Sequence, residues 1–143
     1  MLEFLTMFSV GGLILVEGIR DLCKRKISMI SILLFGILGI LIQLPYVREN
    51  WLGIVGGIFI GVIIYVLSKL TKGKIGEGDG WILMITGIFL GFRNNIMLLL
   101  LSLWVAAAVS IFLLLLKKAK RKTELPFVFF MIPGYVLLLI IML

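Results

Sequence analysis

Six apolar runs separated by short polar stretches fill this 143-residue chain: Leu2–Ile19, Ile27–Leu44, Trp51–Leu70, Trp81–Phe92, Ile96–Leu116 and Leu125–Leu143. A helical bilayer crossing takes roughly 20 predominantly apolar residues. Hydrophobic residues make up 62% of the chain and charged residues only 15%, too little polarity to coat a water-soluble domain. The expected fold is an all-α integral membrane protein, a bundle of about six transmembrane helices forming one domain over residues 1–143. A cytosolic globular protein, a disordered chain and a secreted disulfide scaffold are excluded. The first run begins without a basic leader and precedes no small-residue cleavage motif, so it reads as a retained span rather than a signal peptide.

The fourth run, Trp81–Phe92, would rise only about 18 Å as a helix and on its own could be re-entrant. Charge argues for a crossing. With six spans, the connections after the first, third and fifth share one side. They hold Arg20, Lys24, Arg25, Lys26, then Lys69, Lys72, Lys74, then Lys117, Lys118, Lys120, Arg121 and Lys122. That is twelve of the fourteen basic residues, with Arg48 and Arg93 opposite. The positive-inside rule makes this side cytoplasmic and places both termini outside, in a multi-pass protein of the plasma membrane. The net charge of +7 is therefore read as topology and lipid anchoring, with no nucleic-acid partner. Gly53, Gly57 and Gly61, with Gly56 beside them, and Gly87 with Gly91, have the spacing of close helix–helix contacts. Pro133 is expected to kink the last span.

The chain has no histidine, which excludes His-assisted serine and cysteine hydrolases and zinc motifs such as HExxH. Its one cysteine, Cys23, cannot form an intramolecular disulfide or a four-cysteine zinc site. No metal and no cofactor are expected. Chemistry is left to the acids: Glu3, Glu17, Asp21, Glu49, Glu77, Asp79 and Glu124. Only two are aspartates, and both fall at cytoplasmic ends of spans. Asp21 closes the first, among Arg20, Lys24 and Arg25. Asp79 opens the fourth within Gly76-Glu77-Gly78-Asp79-Gly80, where the glycines predict an irregular, mobile backbone that an extended peptide could approach closely. Taken singly, Asp79 reads equally as a solvated acid of a flexible turn, and Asp21 reads more readily as a solvated charge among basic residues. Taken together, they meet the requirement of an aspartyl protease, in which two carboxylates share one proton and activate a water.

Gly76-Glu77-Gly78-Asp79 resembles the GxGD motif of membrane-embedded aspartyl proteases. Asp21-Leu22-Cys23-Lys24-Arg25-Lys26-Ile27 resembles the first catalytic motif of the type IV prepilin peptidases, and Leu125-Pro126-Phe127 resembles the opening of that family's last helix. The resemblance covers nearly the whole chain. It implies an aspartic endopeptidase with Asp21 and Asp79 catalytic and Gly76 and Gly78 as backbone support. The implied substrates are prepilin-like or preflagellin-like precursors, cut between a short basic leader and an apolar helix. Two departures bear on substrate preference: Ile27-Ser28-Met29 stands where the family commonly has Ile-Pro-Asn, and Trp81 where it often has Lys. The paired-cysteine region of the bifunctional members is absent, so N-methyltransferase activity is not expected.

Glu17 lies one turn before Asp21 on the same helical face. Pairing with Arg20, or reaching the interface, is the first reading; a third acid of the dyad or a contact for a basic substrate residue is the second. Glu77 reads as solvated. Asp21, Glu17, Glu77 and Asp79 together could form an acidic patch for a basic leader. By the dipole of its own helix end, Asp21 is expected to hold the shared proton and Asp79 the charge. Two other classes stay open. A non-catalytic membrane subunit of a pilus or secretion assembly would tolerate loss of either aspartate, and a small proton- or cation-coupled transporter would need acids near mid-membrane.

Overall fold

Backbone N–H and C=O groups find no partners in hydrocarbon, so a chain this apolar satisfies them within helices. The computed structural model describes residues 1–118 and 125–143. It contains five α-helices: α1 (Leu2–Lys24), α2 (Met29–Gln43), α3 (Val47–Leu70), α4 (Glu77–Leu115) and α5 (Phe127–Met142). A 3-10 turn, Leu44–Tyr46, joins α2 to α3, and there is no strand among the described residues. Three stretches are long and apolar enough to cross a membrane: Leu2–Lys24, Met29–Leu70 and Glu77–Leu115. Phe127–Met142 is a shorter apolar helix. The six separate runs expected from the sequence thus appear as fewer, longer helical stretches.

Two of those stretches double back. In α4, Gly91 has φ 69 and ψ −177, a conformation open essentially only to glycine. Four residues on, the Asn95 Nδ2 donates to the carbonyls of Leu83 (2.9 Å) and Gly57 (3.0 Å), and its Oδ1 accepts from the Thr86 hydroxyl (2.7 Å). In an unbroken helix Leu83 and Asn95 would stand about 18 Å apart. The chain therefore reverses at Gly91, and α4 has two antiparallel limbs. The stretch from α2 to α3 reverses likewise. Gly36 faces Ile85 while Gly61 faces Met84, so residues far apart on this stretch meet one level of α4.

Glycine sets the closeness of this packing. A Cβ on Gly57 would overlap the Gly87 carbonyl, and one on Gly61 would meet the Met84 backbone. The second limb of α4 packs on α5, where Gly134 seats against Ser102. Helix α5 runs antiparallel to α1, with Tyr135 Oη donating to the Met7 carbonyl at 2.7 Å and Gly18 against Ile132. Val10, Leu13, Ile82, Leu83, Leu98, Val128, Met131 and Leu138 are fully buried between these layers. Large apolar side chains such as Phe4, Phe8, Ile30 and Trp104 point outward, as a lipid-facing surface requires.

Candidate active site

Asp21 sits one turn before the end of α1. Arg25, in the left-handed region at φ 50, stops that helix, and its N–H returns to the Asp21 carbonyl at 3.0 Å. The Asp21 side chain leaves its own helix for the start of α5. There its Oδ2 accepts from the Val128 N–H at 3.1 Å, and the Phe129 N–H also donates to the carboxylate. The first N–H groups of a helix have no intrahelical partner, and Pro126, the N-cap residue of α5, offers no side-chain cap. Asp21 supplies that cap from another helix. The positive end of the α5 dipole and two backbone donors there stabilise a carboxylate. Arg25 and Glu17 are both within electrostatic reach of it.

Asp79 lies in the first turn of α4, whose N-cap is Gly76 (φ −63, ψ 125). Its N–H donates to the Gly76 carbonyl at 3.2 Å. The expected irregular, mobile segment is therefore a helix start, and each of its three glycines makes room for a specific neighbour. A Cβ on Gly76 would stand 3.0 Å from Asp79 Oδ2, and one on Gly80 would stand 2.8 Å from the Tyr65 backbone. At Gly78 the position is already taken by the Ile27 side chain. None of the three has a positive φ, so close approach and not backbone freedom selects glycine.

The fold brings Asp21 and Asp79 to the same end of the bundle, within electrostatic reach of each other. Their settings are unequal. Asp21 accepts two backbone N–H groups, whereas no donor among the described residues reaches the Asp79 carboxylate. The hydrogen bonding thus favours charge on Asp21 over Asp79, opposite to the preference expected from the helix ends in sequence. The dipole of α1 was the wrong one to weigh, because the Asp21 side chain caps α5.

Of the secondary acids, Glu77 is exposed as expected and Glu17 is not. Glu17 neither pairs with Arg20 nor reaches the interface. It is fully buried, its Oε2 accepts from the Ser28 N–H at 3.0 Å, and its Oε1 is buried with no hydrogen-bond partner. Glu77 is half-exposed but pairs with Lys69 at 2.8 Å. Of the four acids expected to form a patch, Glu17, Asp21 and Asp79 are linked by electrostatic reach, while Glu77 is paired with Lys69. Lys120, Arg121, Lys122 and Glu124 lie outside the described residues. Sequence reasoning missed Ser28, whose backbone N–H exists only because the chain lacks proline there, and Ile27, which touches the second motif. Among the described residues, no group of three or more His, Cys, Asp or Glu is placed to hold a metal.

Two carboxylates within electrostatic reach of each other, one of them hydrogen-bonded to backbone N–H and the other not, are the groups at this end of the bundle that could do acid–base work. A family model described as the type IV leader peptidase family matches residues 7–111, a segment that contains both aspartates. No curated protein and no solved structure matches the chain.

Proposed function

The chain belongs to the type IV leader peptidase family, and on that footing we propose that it is an aspartic endopeptidase of the plasma membrane, with Asp21 and Asp79 as its catalytic pair. The observation that supports this reading is that the two aspartates come within electrostatic reach at one end of the bundle, one on the first turn of α4 and the other capping α5. The substrate is a prepilin-like or preflagellin-like precursor, cut at the cytoplasmic boundary between its basic leader and its apolar helix. In this reading α1, α2, α3, the two limbs of α4 and α5 cross the bilayer as six spans. The basic connections then lie inside and both termini outside.

The asymmetry of the pair supports a division of roles. Asp21, held by the N–H groups of α5, starts as the carboxylate and takes a proton from the water whose oxygen attacks the scissile carbonyl. Asp79 starts as the acid and gives its proton to the carbonyl oxygen. The tetrahedral intermediate then returns a proton to Asp79 as its C–O bond closes. Asp21 passes its proton to the departing nitrogen, the C–N bond breaks, and an acid and an amine leave.

The purified protein in lipid vesicles should cut a synthetic peptide made of a basic leader joined to an apolar helix. Mass spectrometry of the products should show one cut at the junction. Intact peptide after prolonged incubation, with a folded protein, would contradict the assignment.

A further inference from the structure

Glu17 is a buried carboxylate that the peptide-cleavage chemistry does not use. A polar group with no exposure calls for a structural or functional reason, all the more when one of its oxygens has no partner. Its one hydrogen bond ties two elements. Oε2 on α1 takes the N–H of Ser28, the N-cap residue of α2. Ser28 is thus fixed from both sides, since its own hydroxyl accepts from the Ser31 N–H at 3.4 Å. The residue just before it, Ile27, fills the space over Gly78, next to Asp79 in the first turn of α4. A continuous set of contacts therefore runs from one catalytic segment to the other, outside the aspartates themselves.

We propose that Glu17 is a positioning residue. By holding the Ser28 N–H it fixes the α1–α2 connection, and through Ile27 seated on Gly78 it fixes the first turn of α4 and so the Asp79 carboxylate against Asp21. The kinetic part of this proposal rests on the peptidase reading, but the geometric part does not. Two consequences are specific. Glycine is required at position 78 because of Ile27, and Glu17 acts through a hydrogen bond rather than through its charge.

The test measures kcat and KM for cleavage of a leader-bearing peptide. It also measures cross-linking of an Asp21→Cys/Asp79→Cys pair on a Cys23→Ser background by a short bifunctional thiol reagent. Gly78→Ala should lower kcat about 10- to 100-fold with KM little changed, as a displaced catalytic group does. Adding Ile27→Ala to Gly78→Ala should restore most of that loss. Glu17→Gln, which keeps an acceptor for Ser28, should stay close to the unaltered enzyme. Glu17→Leu should lose about 10-fold or more in kcat and slow the cross-link, with unchanged thermal unfolding. Ser28→Pro removes the same N–H at a backbone φ of −87, near proline's own, together with the hydroxyl that caps Ser31, so its loss beyond that of Ser28→Ala should match the Glu17→Leu defect. It serves in its place if Glu17→Leu fails to fold. The proposal is overturned if the Gly78→Ala/Ile27→Ala protein is as slow as Gly78→Ala alone, or if Glu17→Gln is as impaired as Glu17→Leu. Absence of any cleavage by the unaltered protein would end the peptidase reading alone. Cross-linking would then decide the positioning: slower in Gly78→Ala and Glu17→Leu upholds it, and unchanged rates overturn it.

Discussion

Asp21→Asn and Asp79→Asn are each expected to lower kcat/KM by about a thousandfold, within the range of lost acid–base catalysis. Asparagine removes the charge and the transferable proton but keeps a side-chain oxygen. At position 21 that oxygen still accepts the Val128 N–H, so α5 remains docked on α1. At position 79 no donor depends on the carboxylate, and the Gly76 contact tolerates the isosteric amide. Both variants should therefore unfold at the same temperature as the parent. Replacing Asp21 by alanine adds a structural cost, since losing a helix cap costs about 1 kcal/mol. Normal processing by either asparagine variant would defeat the aspartyl mechanism.

The largest effect on stability is expected at Gly57. Its side-chain position is occupied by the Gly87 carbonyl, which belongs to the backbone of α4 and has no rotamer into which to retreat. Gly57→Ala must push α3 away from α4, opening the contact through which Asn95 also reaches the Gly57 carbonyl. A cost of about 1–3 kcal/mol is expected, as for other overpacked sites. The matched control is Gly12→Ala, where an added Cβ meets the Phe35 ring at an ordinary 3.8 Å. Unfolding in mixed micelles should separate the two variants clearly. Equal stability of both would contradict the backbone-to-backbone contact.

Helix content was legible in the sequence because the apolar runs leave no other way to satisfy a backbone in lipid. The two aspartates stood out as well, since a chain without histidine leaves few groups for acid–base work, and the fold brings them within electrostatic reach of each other. Three features were not. The reversal expected between the runs ending at Phe92 and starting at Ile96 is present, but its exact position, Gly91, was not legible, because φ is invisible in an apolar string. Glu17 was misread because sequence neighbours suggested Arg20 as its partner. The partner is an N–H beyond the next turn, brought close only when Arg25 ends α1. The setting of Asp21 depends on α5, more than a hundred residues away in sequence, so its own helix suggested the opposite charge placement. One signal was available and unused. Asn95 is a polar side chain beside an apolar run, and such residues are commonly hydrogen-bonded between helices, as its bonds to Leu83, Thr86 and Gly57 bear out.

The central claim is that Asp21 and Asp79 form one site in the free protein. The most direct measurement is cross-linking of Asp21→Cys with Asp79→Cys, on the Cys23→Ser background, by a short bifunctional thiol reagent without substrate. Because Asp79 stands on a helix turn whose glycines pack against Tyr65 and Ile27, efficient cross-linking is expected with no substrate added. Failure to cross-link with or without substrate, in a folded protein whose two single cysteine variants each react with a monofunctional reagent, would show that the positions do not meet.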